Sequence, residues 1–451
     1  MAKQFYERPV IRKLETGMPA KFGMRTDYPP TTQIDGKPVS SLLEKYGSPL
    51  FVLSEDTIRT TFRRAARAFS TRYPKVQFAW SYKTNYLDSV CRIFHQEGSW
   101  AEVVSGFEYD KALGNGVDGR RIIFNGPGKR EPELLKAIAN DSLIHIDHLD
   151  ELYLLIRLAG ESGKKPRVAI RINMDTGIYP MWDRFGFNYE NGQAWDAINK
   201  IVGSGKLELT GLHTHIGTFI LSPNAYAVAA TKLAELAVEI SNKFHFRLKY
   251  LDLGGGFASR NTLKGSYLPG PDVNPTFDDY AEAISSALLN SRLDMADLPL
   301  LILETGRALI DEAGYLAGTV IANKRLSTGK KSLITDIGVN LLFTAFWYDH
   351  KITPAQPFTL YREDTTVYGP LCMNIDVIRE NVSFPQLNPG EGVVIHSVGA
   401  YNMTQWMQFI NLRPGIILID TKGSVHPIRE PESMNSVTAS ERVPDHLRIP
   451  E

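Results

Sequence analysis

Only two cysteines, Cys91 and Cys372, occur in 451 residues. A disulfide framework is therefore excluded, and a reducing cytoplasm is the expected location. No apolar run approaches the ~18 residues that a membrane span needs. The first residues, Met1-Ala2-Lys3-Gln4-Phe5-Tyr6-Glu7-Arg8, lack the apolar core of a signal peptide. An excess of charge of either sign is missing too: Lys+Arg is 50, Asp+Glu is 50, and the formal net charge is zero. That speaks against nucleic acid or an anionic membrane as the main partner, because both reward a basic surface. There is no internal repeat, no low-complexity stretch and no cysteine cluster, and no metal site is expected. A chain that is 43% hydrophobic and 22% charged has the composition of a multi-domain globular enzyme.

Beyond about residue 51 a rhythm begins. Short runs rich in β-branched and aromatic residues alternate with helical patterns. The candidate strands are 76–81, 100–105, 121–125, 143–147, 167–171, 209–215, 250–253 and 300–304. Helical patterns at 56–69, 86–96, 132–140, 149–159 and 224–243 separate most of them; in the last, Ala229, Leu233, Leu236, Ala237 and Ile240 fall near helical spacing. Eight strand–helix units fit a parallel (β/α)₈ barrel. A doubly wound open sheet is the competing arrangement, but no dinucleotide glycine fingerprint follows the first strand. After about residue 310 strand-like runs dominate, at 318–322, 332–336, 391–396 and 415–419, and read as a β domain. The expected division is an N-terminal segment 1–52 joining the β domain, a barrel 53–310, the β domain 311–425 and a polar, irregular tail 426–451.

Active sites of such barrels lie at the C-terminal ends of the strands. The residues there are Lys83, Glu102, Ser105, Asn125, Arg171, His215, Gly254-Gly255-Gly256, Glu304 and Arg307. Lys83 ends an apolar strand, so partial desolvation is expected to lower its pKa and suit it to Schiff-base chemistry; alternatively it reaches out to solvent. Three consecutive glycines allow backbone N–H groups to approach an anion, although a tight turn would need no more. Arg307 can add charge-assisted hydrogen bonds to the same anion. His213 and His215 alternate on one strand and face the same way. They could form a metal pair, stack on a flat ring or be satisfied core histidines. A lysine, a phosphate cradle, an aromatic stacker and the carboxylate Glu304 together describe a pyridoxal 5′-phosphate (PLP) site.

The motifs then carry a resemblance. Tyr46-Gly47-Ser48-Pro49-Leu50-Phe51-Val52, Ser81-Tyr82-Lys83-Thr84-Asn85, Glu102-Val103-Val104-Ser105-Gly106-Phe107-Glu108, His213-Thr214-His215-Ile216-Gly217-Thr218, Leu253-Gly254-Gly255-Gly256-Phe257, Glu304-Thr305-Gly306-Arg307, Tyr368-Gly369-Pro370-Leu371-Cys372 and Gly399-Ala400-Tyr401 occur in that order. The set resembles the alanine-racemase-fold PLP decarboxylases, which include diaminopimelate, ornithine and arginine decarboxylases. The resemblance implies a barrel plus a discontinuous β domain. It implies that Lys83 carries PLP, that His215 stacks on its ring, and that Thr218, Gly254, Gly255, Gly256, Arg307 and Tyr401 bind its phosphate. Glu304 would pair with the pyridine nitrogen. Cys372 would be the general acid, delivered from the second subunit of a homodimer. Racemases of this fold pair the nitrogen with arginine and use a tyrosine base, so Glu304 and Cys372 favour decarboxylation.

The departures concern the substrate. Relatives place Glu or Asp after the motif cysteine; here Met373 and Asn374 follow it. Relatives acting on diaminopimelate carry an arginine and a tyrosine where Phe343 and Trp347 stand, while Asp349 matches the aspartate that contacts the distal amine in ornithine decarboxylases. The expectation is therefore a decarboxylase of a non-standard, conjugated or carrier-bound amino acid, with Asp349, Met373 and Asn374 near the substrate. The alternatives are a basic amino acid decarboxylase and a racemase on the same scaffold.

Overall fold

The computed structural model describes residues 28–266, 268–358 and 361–448. Eight parallel strands form a closed ring: Val76–Ser81, Trp100–Val103, Ile122–Phe124, Leu143–Ile146, Arg167–Asn173, Glu208–Thr214, Tyr250–Asp252 and Leu300–Leu303. They pair in chain order, and the last hydrogen-bonds back to the first. The ring is the expected barrel, and an open doubly wound sheet is excluded. The strands read as continuous apolar runs because both of their faces are covered, as in Leu143–Ile146, buried at every position.

A helix follows each of the first seven strands. The longest, Pro223–Phe244, starts with proline at its first turn, where the missing N–H costs nothing. It buries Ala229, Leu233, Leu236, Ala237 and Ile240, the stripe its spacing predicts. Each large aliphatic side chain so buried contributes about 1.5–3 kcal/mol. Phe277–Leu289 begins with a capping box in which Thr276 and Asp279 satisfy each other's backbone N–H groups. Inside the ring, Ala79, Ile123, Leu143, Ala169, Tyr250 and Ile302 form an apolar plug. Polar side chains are left to the C-terminal rim.

The second sheet runs in the order Val377–Pro385, Arg362–Tyr368, Lys331–Thr335, Gly314–Arg325, Leu50–Ser54, Ile416–Ile419, Val425–Arg429. Gly392–His396 pairs with Gly314–Arg325 and with Ile352–Pro354. Leu50–Ser54, from before the barrel, lies between Gly314–Arg325 (antiparallel) and Ile416–Ile419 (parallel). The expected N-terminal segment 1–52 falls partly outside the described residues. The expected irregular tail differs from the structure: Val425–Arg429 is a strand and Met434–Thr438 a short helix. The reason is pairing, since Val425–Arg429 completes the edge beside the fully buried Ile416–Ile419. Among the described residues no helix is long and apolar enough to cross a membrane.

Candidate active site

A cavity of about 260 Å³ opens at the C-terminal rim of the barrel. Lys83, in the one-turn segment Tyr82–Thr84 after the first strand, projects into it. Its Nζ donates to Glu102 Oε1 at 2.8 Å and Oε2 at 2.6 Å. Glu102 is fully buried on the second strand and also accepts from Ser81 Oγ at 2.6 Å and Asn125 Nδ2 at 3.1 Å. The expected lowering of the Lys83 pKa is not found. Burial does push the ammonium down, but the charge of Glu102, with Tyr401 and Glu304 behind it, outweighs that and raises it. In this arrangement Lys83 is an ion-paired ammonium.

Glu304, just past the eighth strand, is 5% exposed and accepts from Asn125 Nδ2 at 2.6 Å. One amide thus bridges Glu102 and Glu304. His213 Nε2 lies 3.4 Å from Glu304 Oε2. Behind it His145 stands with ring centroids 4.8 Å apart, its Nε2 3.0 Å from the Tyr250 hydroxyl. Burial holds His213 and His145 well below the usual imidazole range, so both are neutral. His213 therefore groups with His145 and Glu304 rather than with His215. His145 was not singled out by sequence, because nothing in Leu143–Ile146 marks it from a strand interior.

His215 also lines the cavity. Its Nδ1 accepts the Gly255 N–H at 3.1 Å, and the Trp182 ring meets it edge-on at 5.5 Å. Burial, then Arg171 and Lys83, keep it neutral. A neutral ring fixed at its Nδ1 is suited to stacking. Gly254 and Gly256 have φ of +66° and +98°. A Cβ at Gly255 would stand 2.5 Å from the Glu304 carbonyl oxygen, and one at Gly256 would strike the Gly217 carbonyl. Only glycine fits this turn.

Arg307 is buried, yet among the described residues its Nε and Nη1 have no hydrogen-bond partner. Its guanidinium sits between the rings of Tyr401 and Tyr348, at 4.6 and 5.0 Å, and 3.7 Å from Asp311. Tyr401 holds a left-handed backbone, φ +62°, with its N–H donated to the Thr84 carbonyl at 2.9 Å. Such a conformation in a non-glycine residue costs about 1–3 kcal/mol and clusters at binding sites. Tyr348 gave no signal in the sequence, because its partner Arg307 is remote along the chain.

Within one chain the cavity gathers Lys83, His215, Thr218, Gly255, Gly256, Glu304, Arg307 and Tyr401. It does not gather Asp349, Cys372, Met373 or Asn374. Asp349 lines a separate cavity of about 460 Å³, 3.6 Å from Arg379. Cys372 is exposed in the turn after Arg362–Tyr368, and Met373 packs half-buried against the main core.

The family model described as "Pyridoxal-dependent decarboxylase, pyridoxal binding domain" matches residues 58–311. Diaminopimelate decarboxylase of Methanocaldococcus jannaschii is 31% identical over 432 residues, covering 92% of this chain and 95% of that protein. The enzyme of the same name from Aquifex aeolicus is 29% identical over 420 residues, covering 90% and 94%. A crystal structure of the M. jannaschii protein superposes with a TM-score of 0.85 at 30% identity, over 92% of this chain and 97% of that one. Lysine/ornithine decarboxylase from Vibrio vulnificus, crystallised with cadaverine, shares the fold at 23% identity and a TM-score of 0.70, over 82% of this chain and 92% of that one. The cavity fits the cofactor these comparisons imply. Arg307 offers two unspent buried donors to a phosphate, Gly255 and Gly256 line the same cavity, Lys83 offers an amine, and Glu304 offers a carboxylate for a ring nitrogen. By sequence match, by fold and by the residues gathered at the barrel mouth, the chain belongs to the pyridoxal-dependent amino acid decarboxylases.

Proposed function

We propose that the chain removes the α-carboxylate of a free basic amino acid of the diaminopimelate type. The observation that carries the reaction is the joint placement of Lys83, Glu304 and the unspent donors of Arg307 in one cavity. For the substrate, support comes from relatives named diaminopimelate decarboxylase that align over about nine-tenths of both chains. When bound, PLP supplies an electron sink for the pair released as CO₂ departs. The protein's own groups do the rest. Lys83 holds the cofactor and His215 covers one face of its ring. Thr218, Gly254 to Gly256, Arg307 and Tyr401 anchor the phosphate. Glu304, backed by the Asn125 amide, keeps a proton at the ring nitrogen. Cys372, exposed on its turn, reaches the site of a second copy in a homodimer and returns the proton to Cα.

The expected conjugated or carrier-bound substrate gains no support from these relatives, and the basic amino acid alternative is favoured. One observation keeps the departure in view. Phe343 packs edge-on against Phe346 at 5.6 Å and Trp347 at 5.0 Å, an aromatic cluster that carries no positive charge to pair a second carboxylate. The test is mass-spectrometric product analysis of the PLP-loaded protein with meso-diaminopimelate, lysine, ornithine and arginine. Decarboxylation of meso-diaminopimelate in preference to the others is expected. Silence with all four would defeat the reading.

A further inference from the structure

Beside Glu304 lies a second buried carboxyl that the reaction as read above does not use. Asp252 ends the strand Tyr250–Asp252, two residues before the glycine turn begins to curl. It has no solvent exposure. Its Oδ1 accepts the Gly254 N–H at 2.8 Å, so the phosphate turn itself orients the carboxyl. Among the described residues its Oδ2 has no hydrogen-bond partner, and Glu304 lies two residues past Ile302, its register partner on the neighbouring strand. Asp252 stands opposite Ile302 on the neighbouring strand, and the Glu304 N–H donates to the Gly254 carbonyl at 2.8 Å.

Two neighbouring carboxyls in a buried interior resist ionising together, because their repulsion is little screened; the one that keeps its proton can donate it to the other. The surroundings decide which. Glu304 faces the cavity and receives the Asn125 N–H at 2.6 Å. Asp252 faces inward and forms no ion pair among the described residues. Burial, then the charge of Glu304, with Glu102 further off, drive its carboxyl well above the usual range.

We propose that Asp252 is a positioning residue: its carboxyl O–H donates to Glu304 and aims that carboxylate into the cavity. The inference rests on the reading of Glu304 as the partner of the cofactor's ring nitrogen. It joins the glycine turn and Glu304 into one hydrogen-bonded unit, so that phosphate anchor and nitrogen partner hold a common register.

The test begins with infrared spectroscopy of the holoenzyme at neutral pH, in the C=O stretching region of protonated carboxyls. The wild type is expected to show a band that moves on labelling with ¹³C-aspartate and is missing from Asp252→Asn. The labelling arm needs no variant to fold. A wild type without a protonated aspartate, or a band that survives in Asp252→Asn, overturns the proposal. The ring nitrogen of ¹⁵N-labelled cofactor gives the second readout. Its resonance should move towards that of neutral pyridine in Asp252→Ala and stay near the wild-type position in Asp252→Asn, which keeps an N–H donor. Turnover should fall about ten- to hundredfold in Asp252→Ala, the worth of one hydrogen bond to a charged group, and less in Asp252→Asn. If the nitrogen is unprotonated in the wild type, the reading of Glu304 fails. If it is protonated there and unmoved in Asp252→Ala, the positioning claim alone fails.

Discussion

Lys83 shows how far a single side chain's behaviour depends on residues remote in sequence. Desolvation alone would make it a free amine, but Glu102 on the next strand sits 2.6 Å away and holds it as an ammonium. The sequence placed both residues at strand ends; the sign of the shift depends on their distance, which no spacing along the chain encodes. In the proposed reaction Glu304 is the residue on which the chemistry turns. Glu304→Gln keeps the hydrogen-bonding size but cannot hold a proton on a ring nitrogen by charge. Turnover should drop about a hundredfold or more, the scale seen when one preorganised electrostatic group is removed, while the cofactor's absorbance stays with the protein. A fully active variant would refute the electrostatic role. Lys83→Ala should separate the two functions differently: cofactor should wash out on gel filtration, and retention of its absorbance would show that another group holds it.

At the scale of elements, the eight barrel strands were legible because burial on both faces leaves an apolar signature that needs no context. The strands Arg362–Tyr368 and Val377–Pro385 were not. Their residues include Arg362, Glu363, Asp364, Arg379, Glu380 and Asn381, and their burial is incomplete, so neither alternation nor an apolar run marks them. Residues at strand ends stood out as a candidate site; the partners His145, Tyr348 and Asp252 did not, since each meets its target from another strand or, for Tyr348, from a connection after the short segment Phe343–Phe346. The helix Gly106–Gly114 yields a prediction of its own. Ser105 caps it by accepting the Glu108 N–H, and Glu108 returns a carboxylate to the Val104 N–H at 2.8 Å. Burial pushes the Glu108 carboxyl up to about 7, against the pull of that N–H, with the charge of Glu102 adding to the rise. A raised carboxyl favours the protonated native state, so its destabilising effect is absent below about pH 4.5, grows towards pH 7 and is full above it. The shift corresponds to a penalty on the order of 3 kcal/mol at its fullest. Thermal melts of the wild type should therefore fall as pH rises through that window, and Glu108→Gln should flatten the fall. A variant with the wild-type slope would remove Glu108 as its source.

At the scale of the whole molecule, the proposed reaction needs more than one chain's cavity holds. The barrel cavity gathers Lys83, Arg307 and Glu304, while Cys372 is exposed on the β domain and does not line it. A homodimer that exchanges Cys372 turns would complete both sites at once. Complementation tests this directly. Lys83→Ala and Cys372→Ala chains are each expected to be poorly active alone, whereas co-expression of both should restore about a quarter of wild-type activity, because half the dimers are mixed and each carries one intact site. No recovery from dimers shown to be mixed would place the acid within a single chain or on another residue.

As proposed, this site removes CO₂ and then protonates Cα once. The most direct measurement is turnover of the diamino acids named above in deuterated water, with CO₂ and isotope content followed together. CO₂ equal to product is expected, with one deuteron at Cα of that product. Deuterium entering the substrate at Cα with no CO₂ released would contradict it and make the protein a racemase on the same scaffold.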